Sequence, residues 1–272
     1  MASFPEFSFR RWSAWAAAMP DADAWRSWAR GDAPLPDGEE AAAVKAMPPL
    51  LRRRARPAGR AALDALYAPA LAYDGQPIIF CSRNGELDRS LALLQSLAAE
   101  GQVSPQEFSM SVHNAIPGLF QIAQKSRAPV SALASENQMA FSGITEALAQ
   151  LADGVPSVIL MFCDAPLPML LRPFMDGEPP CFAYAVELVP GHDCRLVHND
   201  SPSPAKSVRA PRAIAPSQHI PSTHAIEAAA SQADPSPLAL LRFALDETRR
   251  ALPLTDAADW QLRRFAPETR HA

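Results

Sequence analysis

Apolar positions along this 272-residue chain fall into short blocks whose period separates strands from helices. Ser157-Val-Ile-Leu-Met-Phe-Cys163 is the most hydrophobic run, and its continuous character predicts a strand buried on both faces. Pro77-Ile-Ile-Phe-Cys-Ser82 has strand length and ends in a turn at Arg83-Asn-Gly85. Val130 to Ala134 predicts another short strand, Cys181 to Val189 alternates like a further one, and Phe108 to Val112 also shows the strand period. Helical spacing lies between these blocks. Leucines at 87, 91, 94 and 97 predict a helix over 86–99 with one buried stripe, and Ile116 to Gln124 and Phe141 to Leu151 predict two more, the last stopped by Asp153-Gly154. Ala61 to Ala68 predicts a helix that Pro57 precedes, where the missing N–H costs least. The order describes an α/β domain from about Ala61 to Val189, a layered sheet covered by helices.

The flanks read differently. Phe7, Phe9, Trp12, Trp15, Trp25 and Trp28 crowd the opening segment before Gly31 to Gly38 breaks it. Trp12 and Trp15, like Trp25 and Trp28, lie one helical turn apart, so each pair is expected to turn an aromatic face to the core. Ser201 to Pro237 is rich in Pro, Ser and Ala without apolar period and reads as a flexible linker. A helix resumes at Pro237 to Leu245, and Trp260 to Phe265 forms a terminal strand or return segment that docks back on the domain. The expected divisions are 1–45, 46–195, 196–236 and 237–272.

Composition and charge narrow the function classes. Apolar residues make up 48% of the chain and charged ones 20%, the balance of a globular protein. A formal net charge of −4 argues against a general nucleic-acid binder. Arg52, Arg53, Arg54, Arg56 and Arg60 form the densest basic run, either a solvated face or a docking patch for an acidic partner. Cys81, Cys163, Cys181 and Cys194 show no C-x-x-C spacing, so neither a zinc cage nor a redox motif is indicated and no cofactor is expected. The N-terminus lacks the progression of a signal peptide, and no apolar run approaches the ~20 residues that span a bilayer. A cytoplasmic protein with no membrane span is the expectation.

Several segments carry a family likeness: Met47-Pro-Pro-Leu-Leu-Arg-Arg-Arg, Gly59-Arg60-Ala-Ala-Leu63, Cys81-Ser-Arg-Asn-Gly-Glu86, Trp260 to Phe265 and, most specifically, Ser111-Val-His-Asn-Ala-Ile-Pro-Gly118. With these the chain resembles the beta-ketoacyl synthase-like, N-terminal domain family, in particular the chain-length-factor-like proteins of aryl polyene pathways. The resemblance implies a thiolase-like fold represented mainly by its N-terminal half. It implies that Asn114 and Gly118 match a turn before the nucleophile-bearing helix, with His113 in the same motif. Aligning Pro129 places the nucleophile near Asn137, while counting back from Gly143 places it near Ser135. Ser135-Glu136-Asn137 contains no thiol.

That absence has chemical weight. A condensing enzyme needs a thiolate at a helix N-terminus, where the dipole and backbone N–H groups lower its pKa and later hold the oxyanion. The family's two histidine contexts, His-Gly-Thr and Asn-Ser-Phe-Gly, do not occur either; His192 continues as Asp193-Cys194, and His198, His219 and His224 fall in or beside the linker. The resemblance therefore implies a non-catalytic homologue that pairs with an active ketosynthase as a heterodimer and meets acyl carrier protein through that complex, the arginine run being a possible docking patch. Family dimers form around the nucleophile helix and the next strand, here about Gly143 to Cys163, although the apolar run 158–162 suits the sheet core better. Two enzymatic alternatives stand beside this one. A residual site at Glu136, Asn137 or Gln138 with His113 could decarboxylate malonyl thioesters. Ser135 with His113 could act as an acyltransferase or hydrolase, but no G-x-S-x-G elbow surrounds Ser135, and a helix N-cap explains a serine there.

Overall fold

The computed structural model describes residues 4–36, 38, 40–135, 138–172, 180–199, 237–255 and 259–265. Their strands form one mixed sheet, β1 (Phe7–Ala16), β2 (Ile78–Cys81), β3 (Val130–Leu133), β4 (Val158–Asp164), β5 (Phe182–Pro190), β6 (Cys194–His198), β7 (Ala251–Pro253) and β8 (Trp260–Arg264), in the order β3-β2-β4-β5-β1-β6-β8-β7. β2 pairs in parallel with β3 and with β4, and every other pairing is antiparallel.

Alternate residues of the central strands feed two cores. Ile79, Cys81, Leu160, Phe162, Tyr184 and Val186 face one side, where α1 (Ala22–Arg30) and α7 (Met139–Ala152) cover them, together with the helix Pro237–Leu245. Ile78, Phe80, Ile159, Met161, Ala183 and Ala185 face the other, under α3 (Pro57–Tyr67) and α6 (Ala115–Gln124). Both faces of β4 are thus consumed internally, so the run 158–162 is sheet core. Three shorter or peripheral helices complete the set among the described residues: α2 (Pro49–Arg52), α4 (Leu87–Glu100) and α5 (Pro105–Ser109), and the helix Pro237–Leu245 is α8.

The opening aromatic segment departs from expectation. Trp12 and Trp15 lie on a strand, so they turn to opposite faces of the sheet, Trp12 to the α7 side and Trp15 to the α3 side. A bulge between Phe9 and Arg11 explains why the pattern hid it. Phe7 and Phe9 point to the α7 side on odd numbers, whereas Trp12, Ala14 and Ala16 reach that side on even ones. One extra residue inverted the period. Trp25 and Trp28 do share a helix, α1, where their rings meet edge to face at 5.5 Å in the core.

Two further expectations are corrected. Phe108 to Val112 is no strand, because Ser104 accepts the Glu107 N–H and Pro105 starts α5 in the position that suits proline. The leucine helix exists as α4, but its stripe points outward: its one buried residue is Arg89, while Leu94 and Leu97 are exposed. β6 runs into the stretch read as linker; His198 belongs to it and packs its ring 4.9 Å from Trp260. The remainder of that stretch, with His219 and His224, lies outside the described residues.

Candidate functional site

β3 ends at Leu133, α7 begins at Met139, and the turn between them carries Ser135. Glu136 and Asn137 lie outside the described residues. Gly143 sets how α7 meets the sheet: a Cβ there would come within 2.8 Å of Leu160 Cδ1 and 3.0 Å of Cys81 Sγ. Only a residue without a side chain lets the helix lie this close over β2 and β4, and that contact aims its N-terminus at the turn. The N-cap is Gln138, with no side-chain bond to the helix, so Ser135 is not the cap its sequence position suggested.

His113 is brought to this turn and committed there. Its Nε2 donates to the Leu133 carbonyl at 3.0 Å, which also accepts the Ser82 N–H at 3.2 Å. Its ring rests edge-on against Phe80 at 5.7 Å, and Nδ1 stands 2.8 Å from where a Cβ on Gly85 would be. Gly85 has φ +54°, so glycine is required there for both space and conformation. Asn114 and Gly118 shape the start of α6 instead: Asn114 is its exposed N-cap, its carbonyl accepting the Gly118 N–H at 3.0 Å, and Gly118 faces open space.

A carboxylate at the end of β4 organises the loop on which His113 leans. Asp164 accepts from Ser82 Oγ at 3.1 Å and from the Arg83 N–H at 3.0 Å, and Ser82 Oγ accepts the Gly85 N–H at 2.9 Å. Burial pushes the Asp164 carboxyl above its ordinary range, and these hydrogen bonds oppose it only in part. At the end of the same loop, Glu86 is buried against Arg89 at 3.5 Å; Arg89 also pairs with Glu107 and donates to the Arg54 carbonyl at 2.6 Å. Burial raises the Glu86 carboxyl too, with Arg89 pulling the other way. Sequence reading missed this group, for which the available signal was an arginine in the first turn of a leucine helix, Arg89, three residues after Glu86.

The arginine run divides by role. Arg52 donates to the Ala43 and Val44 carbonyls and Arg56 lies 3.8 Å from Glu107, so both serve the chain's own packing. Arg53 and Arg54 are exposed, and Arg60 sits half-buried on α3. The arrangement offers no thiolate: all four cysteines lie on or beside strands β2, β4, β5 and β6. Burial raises the Cys81, Cys163 and Cys194 thiols and pushes Cys181 up to about 11, which keeps them protonated and unreactive. Among the described residues no cluster of three or more His, Cys, Asp and Glu could hold a metal ion, and no helix is long and apolar enough to cross a membrane.

Comparison with known proteins places this geometry. The sequence profile for beta-ketoacyl synthase, N-terminal domain, matches residues 25–261. No curated protein sequence matches significantly. Among solved structures, a chain of the ketosynthase ApeO in complex with its chain length factor ApeC from Xenorhabdus doucetiae is similar at TM-score 0.73 and 22% identity, over 95% of this chain and 99% of that one. A chain of the ishigamide ketosynthase/chain length factor is similar at TM-score 0.55 and 13% identity, over 71% of this chain and 66% of its own. A chain of AntDE:AntF, a type II polyketide synthase carrier protein in complex with its ketosynthase, gives 0.54 and 13%, over 68% and 63%. The sheet and its covering helices have the thiolase-like ketosynthase fold.

Proposed function

Because this chain belongs to the beta-ketoacyl synthase, N-terminal domain family, we propose that it is a non-catalytic, chain-length-factor-like subunit that pairs with an active ketosynthase in aryl polyene or related fatty-acid or polyketide-type biosynthesis. One observation carries the reading. The β3–α7 turn, where the family's nucleophile belongs, has no cysteine, and the chain's four thiols lie on or beside strands elsewhere. A helix N-terminus can activate a thiolate only if a thiol is placed there. The similar structures, each a ketosynthase with a chain length factor or carrier protein, support a paired assembly of the same kind here.

The residual-site alternatives lose support from His113, whose Nε2 proton is spent on the Leu133 carbonyl. Arg53 and Arg54 are the part of the basic run left for an acidic carrier protein, reached through the complex. The test is co-expression with the ketosynthase encoded nearest to this chain, size-exclusion chromatography, and condensation assays on the pair and on each chain alone. A mixed complex whose activity needs both chains, unchanged within about twofold by Ser135→Ala, is expected, since a serine without a base contributes nothing. Malonyl-thioester consumption by this chain alone, abolished by Ser135→Ala, would overturn the reading.

A further inference from the structure

One side of the β1 backbone is open. The strand pairs with β5 along its whole length but with β6 only at Phe7, and among the described residues no backbone hydrogen bond is made on its other side from Arg11, just past the bulge, to Trp15. Those residues span about 17 Å of edge. A row of unpaired N–H and C=O groups is a template for a further strand. This edge lies in a groove of about 370 Å³, walled on the α7 side by Met19, Pro20, Trp25 and Arg26 and on the other by Ala68 and Ala70, just past α3. Ser13 Oγ donates to the Ala65 carbonyl at 2.6 Å and so fixes the strand to that second wall.

The walls select what fits. A strand sends successive side chains to opposite faces, so an occupant meets the aromatic wall and the alanine wall in turn. On the aromatic wall Arg26 lies over Trp12, its guanidinium carbon 5.7 Å from the ring centroid. The charged side chains lining the groove are Arg10, Arg11, Arg26 and Asp21, and the Asp21 carboxylate is already taken, accepting the Asp23 and Ala24 N–H groups as the cap of α1. Glu187 is buried beneath Arg10 and Arg11, and Asp23 and Asp74, the other carboxylates that act on these arginines, lie outside the lining. Positive charge around an open strand favours an acidic chain.

We infer that this groove takes an extended, acidic segment of another protein, with apolar side chains on alternate positions, which adds a strand to β1. A second copy of this chain would bring the same three arginines against these. Residues 200–236 of the chain itself set Lys206, Arg209 and Arg212 against Asp200, Glu227 and Asp234, and they are interrupted by proline, which cannot donate to a ladder. In the sheet order β1 stands four strand spacings, about 19 Å, from β3 and the Ser135 turn, so the inference is independent of the pairing proposed above.

The test uses the full chain and a fluorescein-labelled eight-residue peptide of alternating valine and glutamate, read by fluorescence anisotropy. The peptide should bind, and its valine and lysine counterpart should bind about tenfold more weakly or not at all. Methylating the backbone nitrogens of one alternate set of peptide residues should abolish binding, while the other set tolerates it, because a strand gives only half its N–H groups to one neighbour. Ala70→Trp, which fills the groove from an exposed position, should weaken binding by about tenfold or more and leave the thermal transition unchanged. By hydrogen exchange, the amides between Arg11 and Trp15 that face away from β5 should be fast alone and slowed by the peptide. Equal binding of the glutamate and lysine peptides, equal tolerance of both methylated sets, or no binding at all would overturn the inference. Edge amides that are slow in the free chain and become fast when residues 200–236 are deleted would overturn the stated occupant in favour of the chain's own segment, and a self-dimer abolished by Ala70→Trp would do so in favour of a second copy.

Discussion

At the centre of the sheet, Glu187 on β5 is buried completely and still ionised. Burial alone would raise its pKa; Arg11 and Arg10 overcome that and bring it down to about 2. The β1 bulge makes this possible, because both arginines stand opposite one residue and reach the same side, Arg11 at 2.6 and 3.0 Å and Arg10 through Nε at 2.9 Å. The folded pKa is depressed, so the stabilisation is present above the ordinary carboxylate value near 4.5 and is lost as pH falls toward 2. It amounts to about 3 kcal/mol. Glu187→Gln should lower the urea midpoint at pH 7 and flatten its dependence between about pH 5 and 2 relative to the unaltered chain, by roughly that free energy. An unchanged pH profile would remove Glu187 as the acid-sensitive group. Asp164 and Glu86 act with opposite sign: their raised values favour the folded state at low pH and lose that contribution as pH rises through the shifted range.

At the level of elements, α4 shows how an amphipathic pattern leaves its direction open. The leucine period predicted the helix correctly, but the period is the same whether the stripe meets its own chain or another. What decides the direction is Arg89, which lies on the side of the helix opposite to Leu87, Leu91 and Leu94 and is drawn inward by Glu86, Glu107 and the Arg54 carbonyl. Arg89→Met should destabilise the fold by about 3–5 kcal/mol, since it strands the buried Glu86 carboxylate. Adding Glu86→Gln should recover most of that loss in denaturant midpoints, because a neutral amide removes the uncompensated charge. Equal destabilisation in the single and double variants would mean that the pair contributes packing only.

For the whole molecule, the sheet is held together across a narrow join. β1 meets β6 only at Phe7 and Cys194, and the strands beyond it are tied to the main body by the last segment of the chain. α8 buries Leu240, Leu241 and Phe243 on the α7 side, Leu254 and Leu262 follow, and Arg264 on β8 donates to the Phe243 and Asp246 carbonyls at the end of α8. Those five apolar side chains at about 1.5–3 kcal/mol each equal the net stability of a whole domain, about 5–15 kcal/mol. A chain ending at residue 236 should therefore show no cooperative thermal transition by calorimetry. A normal transition from the truncated chain would show that the first six strands and their helices fold unaided.

Much of this architecture was legible in the amino-acid order. β2, β4, β5, α3, α6, α7 and the closing helix and strand follow from local period and stop residues, because one repeating backbone geometry imposes each pattern. That Ser135 to Asn137 contains no thiol needed only the sequence. Tertiary structure decided what depends on neighbours far along the chain: the bulge that sends Trp12 and Trp15 to opposite faces, the outward leucines of α4, and His113 fastened to Leu133. Periodicity records which residues share a side of an element, but the choice of what that side faces is a competition among burial, ion pairing and packing between distant segments, and only the folded chain holds all the competitors at once.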